Sequence, residues 1–318
     1  MRLELNVGDR VERVMAVAKK VKREYKGGKF LLFQFSDKEG LLKGVLWKPA
    51  RDVENGIHTN DIVRISGEIQ SYQGEMQLRI ERMEKLDEND YDPTLFLPVS
   101  SRPVTEIYDD IKRIIAGVVN PHIKTLLETI FGDEEFKSSF LRAPAAKGWH
   151  HAYLGGLLEH TYDMTLMALK AAEVYDEIDK DLLIAGILLH DLGKLQEFDV
   201  TNHIDYSDRG RLVGHITLGI EFLDEFLRGM NDFPGELELR IKHMILSHHG
   251  LLENGSPVVP MTIEALLLHY IDNMDAQTRG TLQVLEGENM QEGNWTRYVK
   301  LLDRFIYRGK GAGKETDE

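Results

Sequence analysis

Along the 318-residue chain the spacing of apolar positions changes character near residue 90. Before that point apolar residues come in short runs, partly alternating with polar ones and separated by glycine-containing turns. Residues 11–22 are rich in valine, 25–29 turn the chain, and 30–35 form a second run. Residues 37–40 turn into a third at 41–47, and after the polar loop 48–60 two more runs follow at 61–69 and 76–83. Period-two alternation buries one face of a strand, so five such runs predict a small five-stranded β-barrel. Residues 86–93 are acidic, polar and proline-terminated, which marks a boundary and puts a linker at 91–103.

From Val104 onward the period becomes helical. Ile107, Ile111, Ile114 and Ile115 fall on one stripe, Ile123, Leu126, Leu127 and Ile130 on another, and Phe136 and Phe140 on a third. Further helices are predicted over 153–175, 181–192, 213–228, 236–248, 260–285 and 294–307. The expected architecture is thus multidomain α and β: a barrel over 1–90, then an all-α domain over 104–308. The glycine-containing, charged tail 309–318 is expected to be disordered.

Some polar residues interrupt these apolar stripes. Residues 182–189 are apolar all round, the mark of a buried helix, and run straight into His190-Asp191 and then Gly193-Lys194. Burying an imidazole and a carboxylate is costly unless something compensates them. A divalent metal does so, and both are ordinary ligands for one. Helix capping by His190 and a salt-bridge partner for Asp191 would serve as well. His160 shares a face with Leu157, Met164 and Met167; His215 with Leu218, Phe222 and Phe226; His248 with Ile241 and Ile245; Asp272 with Ala265 and Leu268. Each alone reads as a hydrogen-bonded core residue. Five helices each delivering such a group point instead to convergence on a shared ligand. Six donors suit two ions bridged by a carboxylate, with Asp191 the natural bridge. His249 is either a further ligand or a partner orienting its neighbour. His58, His122, His203, His243 and His269 read as surface or structural.

Composition narrows the chemistry. There is no cysteine, so disulfides, thiolate nucleophiles and cysteine-bound zinc are excluded. No apolar run approaches the ~20 residues of a membrane span, and the start Met1-Arg2-Leu3-Glu4 is no signal peptide. A cytoplasmic protein with no membrane partner is expected. The net charge of −14 is uneven: residues 1–90 hold 17 basic against 16 acidic side chains, the remainder 22 against 37. Lys19, Lys20, Lys22, Arg23, Lys26 and Lys29 add basic density beside the aromatics Tyr25, Phe30, Phe33, Phe35, Trp47 and Tyr72. Basic grooves with aromatic platforms bind single strands. Lys20, Lys22, Arg23, Tyr25, Lys26 and Tyr72 are therefore the candidate nucleic-acid contacts, with Tyr25 and Tyr72 exposed beside glycine turns. A lysine-decorated edge strand is the plainer reading of the same run.

The strand and turn order at the N-terminus resembles an OB-fold. The order His160, His190-Asp191, His215, His248-His249, Asp272 resembles the HD superfamily of metal-dependent phosphohydrolases. His-Asp-Leu-Gly-Lys at 190–194 is its central signature, and Gly-Gly-Leu-Leu-Glu-His-Thr at 155–161 its first-histidine helix. Residues 143–161 and Gly214-His215-Ile216 narrow the likeness, and over nearly the whole chain it is similar to the YhaM-type 3′→5′ exoribonucleases. The resemblance implies His160, His190, Asp191 and Asp272 as core ligands, with His215 and His248 extending the site to a second metal. It implies one or two divalent ions, manganese first and magnesium, cobalt, iron or zinc as alternatives. It also implies release of nucleoside monophosphates from single-stranded RNA, with single-stranded DNA the alternative polymer. Asp191, Lys194 and His151 are then the candidate catalytic residues: Lys194 on a phosphoryl oxygen or simply as a helix-end cation, and His151 as an acid. Lys147 and Arg142 join Lys194 as candidate phosphate contacts. Hydrolysis of nucleotides or cyclic dinucleotides, a di-iron oxygenase site, and a single-strand-binding factor without nuclease chemistry remain as alternatives. Nothing in the sequence sets the oligomeric state.

Overall fold

The computed structural model describes residues 5–25, 28–37, 40–72, 75–87, 90–92, 95–201, 203–287 and 294–309. The chain divides into two compact units: Met1–Val99 with Val200–Asp205, and Ser100–Asp199 with Tyr206–Glu318.

The first unit is a closed five-stranded barrel of β1 (Arg10–Tyr25), β2 (Gly28–Asp37), β3 (Gly40–Trp47), β4 (Ile62–Tyr72) and β5 (Glu75–Lys85). The strands run in the order β1-β2-β3-β5-β4, and β4 pairs back onto β1 to close the sheet. All pairings are antiparallel except β3 with β5. Met15, Val17, Leu31, Phe35, Val63, Ile65, Ile69 and Leu78 fill the interior. Two irregularities bend the long strands, one in β1 between Val17 and Lys19 and one in β5 at Glu81, opposite Ser66 and Gly67 of β4. A side chain at Gly67 would overlap the Arg79 carbonyl oxygen, so only glycine lets β4 and β5 approach there. The loop expected over 48–60 contains a short helix, α1 (Arg51–Gly56). Lys20 Nζ donates to the carbonyl oxygens of Glu54 and Ile57 at 2.5 and 2.6 Å, satisfying acceptors that the end of a helix leaves open.

In the second unit α2 (Val104–Ala116), α3 (Pro121–Gly132) and α4 (Glu134–Phe140) pack through Tyr108, Ile111, Leu127, Phe131 and Phe140. Asn120 caps α3 ahead of Pro121, and Asp133 caps α4. The central helices are α5 (Gly156–Val174) and α6 (Lys180–Leu189), with every residue of α6 from Leu182 to Leu189 buried. After the turn at 190–193 come α7 (Lys194–Glu197), a small hairpin of β6 (Phe198–Val200) and β7 (Ile204–Tyr206), and α8 (Asp208–Val213). Then follow α9 (His215–Leu227), α10 (Gly235–Ser247) and α11 (Ile263–Gly287). The β6–β7 hairpin had no counterpart in the periodicity, because three-residue strands are too short to show one.

The helix expected over 294–307 is absent. In its place two antiparallel bridges, Trp295 with Tyr307 and Val299 with Arg304, flank a turn at 300–303. Asp303 takes a left-handed conformation, φ 53°, which ends a helix and which aspartate tolerates better than most residues. Tail residues 310–318 lie outside the described residues. Among the described residues no helix is long and apolar enough to cross a membrane.

Candidate metal centre

Two helix ends present imidazoles in the same way. His190 follows α6 directly and its Nδ1 donates to the Ile187 carbonyl oxygen at 2.8 Å; His248 follows α10 and donates to Ile245 at 2.7 Å. Each ring thus satisfies a carbonyl left open at the helix end, and its other nitrogen, Nε2, becomes the lone-pair side. The capping reading of His190 is therefore true of one nitrogen and silent about the other. His160, in the second turn of α5 on its buried face, donates from Nδ1 to Asp275 at 2.7 Å. His215, first residue of α9, pairs Nδ1 with Glu197 at 3.0 Å. Hydrogen bonds of this kind fix ring orientation and tautomer in metal sites.

The four Nε2 atoms surround Asp191. Its Oδ2 lies 3.2 Å from His190 Nε2 and 3.7 Å from His160 Nε2, and its Oδ1 lies 3.6 Å from both His215 and His248 Nε2. Asp272 Oδ1 is 3.4 Å from His160 Nε2. His160, His190 and Asp272 form one group with potential donor atoms within 4.8 Å of one another; His215, His248 and His249 form a second. Asp191 faces one group with each oxygen. The Nε2 atoms of His160, His190, His215 and His248, and Asp191 Oδ1, are buried without any hydrogen-bond partner. Five buried polar atoms left unsatisfied in one place would carry a heavy desolvation cost. The donor set, imidazole and carboxylate with outward-facing nitrogens already hydrogen-bonded, fits divalent metal on both sides of a bridging Asp191. His249, expected as ligand or support, belongs to the second group, and its Nδ1 pairs with the Asn254 carbonyl oxygen at 3.0 Å.

Electrostatics agree with a cation-seeking pocket. Burial would lower the His160 imidazole, yet Asp272, Asp275 and Asp191 together hold it up at about 9. Without a metal, the pocket draws a proton to the same place. Burial pushes the Asp191 carboxyl up, but Lys194, His190 and His215 outweigh it and keep it well below the usual carboxylate range. His248 is held well below the usual histidine range by burial and by His190, so it stays a neutral donor.

Sequence reasoning missed the supports behind these donors. Asp275 accepts from His160 and also meets His151 Nε2 at 3.0 Å; it lies three residues past Asp272 on the same helix, a spacing that could have revealed it. Behind it, Arg102 and Arg279 both pair with Asp163 and reach Glu159 at 3.5 and 3.6 Å. Glu197 had no signal, since it reaches His215 only across the β6–β7 excursion. His150 also went unremarked: its ring lies 5.7 Å from that of His160, and burial brings its imidazole down to about 3.

Other candidates are placed differently than expected. Lys194 Nζ binds Asp191 Oδ2 at 2.6 Å, and it opens α7 instead of closing α6. His151 is buried with Nε2 on Asp275 and Nδ1 on the Tyr153 hydroxyl at 2.7 Å, so both ring nitrogens are engaged with protein groups. Arg142 is exposed just past α4, and Lys147 is exposed with Nζ 5.8 Å from the Tyr206 ring centre.

The HD turn itself is tightly packed against α9. A methyl at Gly193 would overlap the His215 carbonyl oxygen and lie 2.5 Å from the Gly219 amide nitrogen. Backbone atoms cannot step aside, so Gly193→Ala is expected to cost about 3 kcal/mol. That lowers Tm by roughly 6–12 °C for a unit of this size, measured by thermal unfolding.

On the barrel, a groove of about 620 Å³ is lined by Lys19, Arg23, Phe33, Lys43, Tyr72 and Gln77 among others. Of the six expected contacts, Arg23 and Tyr72 line it. Lys20 and Lys22 do not: Lys20 holds the end of α1, and Lys22 pairs with Glu54 at 2.9 Å. Tyr25 packs edge-on against Trp47 at 5.4 Å, and Lys26 lies outside the described residues. The reason is the shift at Val17/Lys19. Before it the odd-numbered Val11, Met15 and Val17 are buried; beyond it the odd-numbered Lys19, Val21 and Arg23 line the groove.

Comparison with known proteins agrees with both units. Residues 157–277 match the HD domain family and residues 13–86 the OB-fold nucleic acid binding domain family. The 3′-5′ exoribonuclease YhaM of Bacillus subtilis is 32% identical over 305 residues, covering 95% of this chain and 96% of its own length. The proteins of the same name from Bacillus velezensis and Bacillus licheniformis match with the same identity and coverage. By fold, by site and by similarity along nearly its full length, this chain belongs to the YhaM family of 3′-5′ exoribonucleases.

Proposed function

We propose that this chain is a metal-dependent 3′→5′ exoribonuclease that holds single-stranded RNA on its barrel and releases nucleoside monophosphates at its helical unit. The observation that carries the chemistry is the set of five buried, unpartnered donor atoms gathered about Asp191. Polarity and the choice of RNA are supported by the relatives' activity. His160, His190, Asp191 and Asp272 are assigned to one ion and His215, His248 and Asp191 to a second, with His249 available to the latter; manganese is the first choice of metal. Such ions would supply Lewis acidity toward phosphoryl oxygens and an activated water at neutral pH.

The chain's own residues then have distinct tasks. Asp191 spans the two groups of donors and sets their separation. Lys194 offsets its buried charge and is a cation held beside Asp191, where phosphoryl charge would build. Asp275 and Glu197 hold the rings of His160 and His215 in the tautomer that leaves Nε2 a lone pair. His151 anchors Asp275 and is assigned a positioning role. On the barrel, Lys19, Arg23 and Lys43 are assigned to phosphates and Tyr72 to a base.

The deciding assay is a 5′-labelled single-stranded RNA incubated with and without manganese and resolved by length. A ladder shortening one nucleotide at a time from the 3′ end, abolished by chelation, is expected. Turnover confined to mononucleotides or cyclic dinucleotides would overturn the reading. A paired test separates the two sides of β1: Arg23→Ala with Tyr72→Ala is expected to raise KM for RNA at least tenfold with kcat unchanged, whereas Lys20→Met should lower Tm and leave KM alone. Steady-state kinetics and thermal unfolding check both.

A further inference from the structure

The segment that replaces the expected C-terminal helix is built like a strand-binding surface. Residues 294–309 carry four basic side chains, Arg297, Lys300, Arg304 and Arg308, against one acidic, Asp303, in a chain whose net charge is −14. The Tyr298 hydroxyl bonds to Asp303 and so engages that single anion. The hairpin's fold turns its large apolar groups outward: Trp295 is 58% exposed, Phe305 58% and Tyr307 56%. Trp295 and Tyr307 pair across the strands with ring centres 5.0 Å apart, and Tyr298 meets Phe305 at 5.3 Å. Thr296, Val299 and Leu302 are the buried side of the same hairpin. Aromatic faces left in water beside a cluster of cations are costly for a protein that uses neither.

We infer that this hairpin, residues 294–309, is a second contact for single-stranded RNA, apart from the barrel groove, with Trp295 and Tyr307 stacking on bases and Lys300 and Arg308 meeting phosphates. The chemistry matches that of the groove on the barrel: cations to track a polyanion, aromatics to stack on bases of any sequence. A second copy of the chain is the weaker occupant. Closed dimers pair a patch with itself, and self-pairing would bring two clusters of excess positive charge face to face. The inference rests on the strand-binding part of the proposed function, and its test does not require the chain to be a nuclease.

The test uses the full-length chain and a 5′-fluorescein-labelled 30-nucleotide oligouridylate, followed by anisotropy with divalent metal withheld so that the strand stays whole. Trp295→Ala is expected to weaken binding roughly 5- to 150-fold, the range for one lost base stack, while Trp295→Phe stays within about threefold of the parent. Lys300→Gln with Arg308→Gln should reduce the slope of log affinity against log salt by about 1.4, since each phosphate contact on a single strand contributes ~0.7. The two charge variants leave the aromatic pair intact, so they report even if Trp295→Ala disturbs the hairpin. Unchanged affinity and unchanged salt slope would overturn the inference, whether or not the chain cleaves RNA. So would sedimentation showing that Trp295→Ala splits an oligomer while its affinity for the strand is unaltered. Loss of cleavage by the parent with these binding changes intact would instead overturn only the nuclease reading.

Discussion

Asp191→Asn is expected to lower turnover of single-stranded RNA by on the order of 10³-fold or more while changing strand affinity less than about twofold. Each 1.36 kcal/mol of lost transition-state stabilisation costs a factor of ten, and removing the carboxylate proposed to be shared between two ions would forfeit several. Asparagine keeps the shape and can still accept from Lys194, which spares the fold the larger penalty of a buried ammonium with no partner at all. It cannot serve both donor groups as an anion. Metal content by atomic emission should fall for both groups together, because Oδ1 and Oδ2 face different histidines. A variant that keeps its full complement of metal and still shortens RNA would remove Asp191 from the centre of the mechanism. Strand affinity is the control, since Arg23 and Tyr72 belong to a separate compact unit.

Asp275→Asn is expected to weaken metal binding or turnover 10- to 100-fold without touching any atom assigned to the ions. The carboxylate accepts from both His160 and His151, and its charge makes His160 a better donor. Asparagine preserves an acceptor oxygen and loses the charge. The loss should therefore fall on the ion assigned to His160, His190 and Asp272, leaving the His215–His248 side close to normal. Titration with manganese, read as two separate affinities, checks this. Equal weakening of both would point to a general loss of fold, and Asp275→Glu restoring the first affinity would confirm that the charge matters.

Much of this centre was legible in the sequence because helical period places residues on faces without knowing the neighbours. His160 on the stripe of Leu157 and Met164, and Asp272 on that of Leu268, had to point inward, and five helices each delivering such a group pointed to a shared ligand. The supports were less legible. Asp275 shares a helix with Asp272 and could have been found by spacing, but Glu197 meets His215 only because a hairpin folds back between them. The surroundings of His151 were hidden for a related reason: a histidine just ahead of α5 suggested an acid, and only the fold sets its two nitrogens against Tyr153 and Asp275.

On the barrel the limit was different. Alternation along β1 was visible, yet one irregularity at Val17/Lys19 exchanges the faces, and local sequence does not announce a bulge. That single shift moves Lys20 and Lys22 onto α1 and puts Lys19 and Arg23 in the groove. The C-terminal hairpin failed in the same manner: Trp295, Tyr298, Leu301 and Phe305 recur at helical spacing, but a left-handed Asp303 turns the chain back.

The sequence by itself determined two units, a barrel followed by helices, and that His160, His190, Asp191 and His248 lie among core residues, because periodicity and the cost of desolvating polar groups are local properties. Only the tertiary structure decided which oxygen of Asp191 faces which histidines, which carboxylates brace them, and which lysines reach the groove. Those depend on atoms far apart in the chain meeting within hydrogen-bond distance, and no local rule of spacing contains that information.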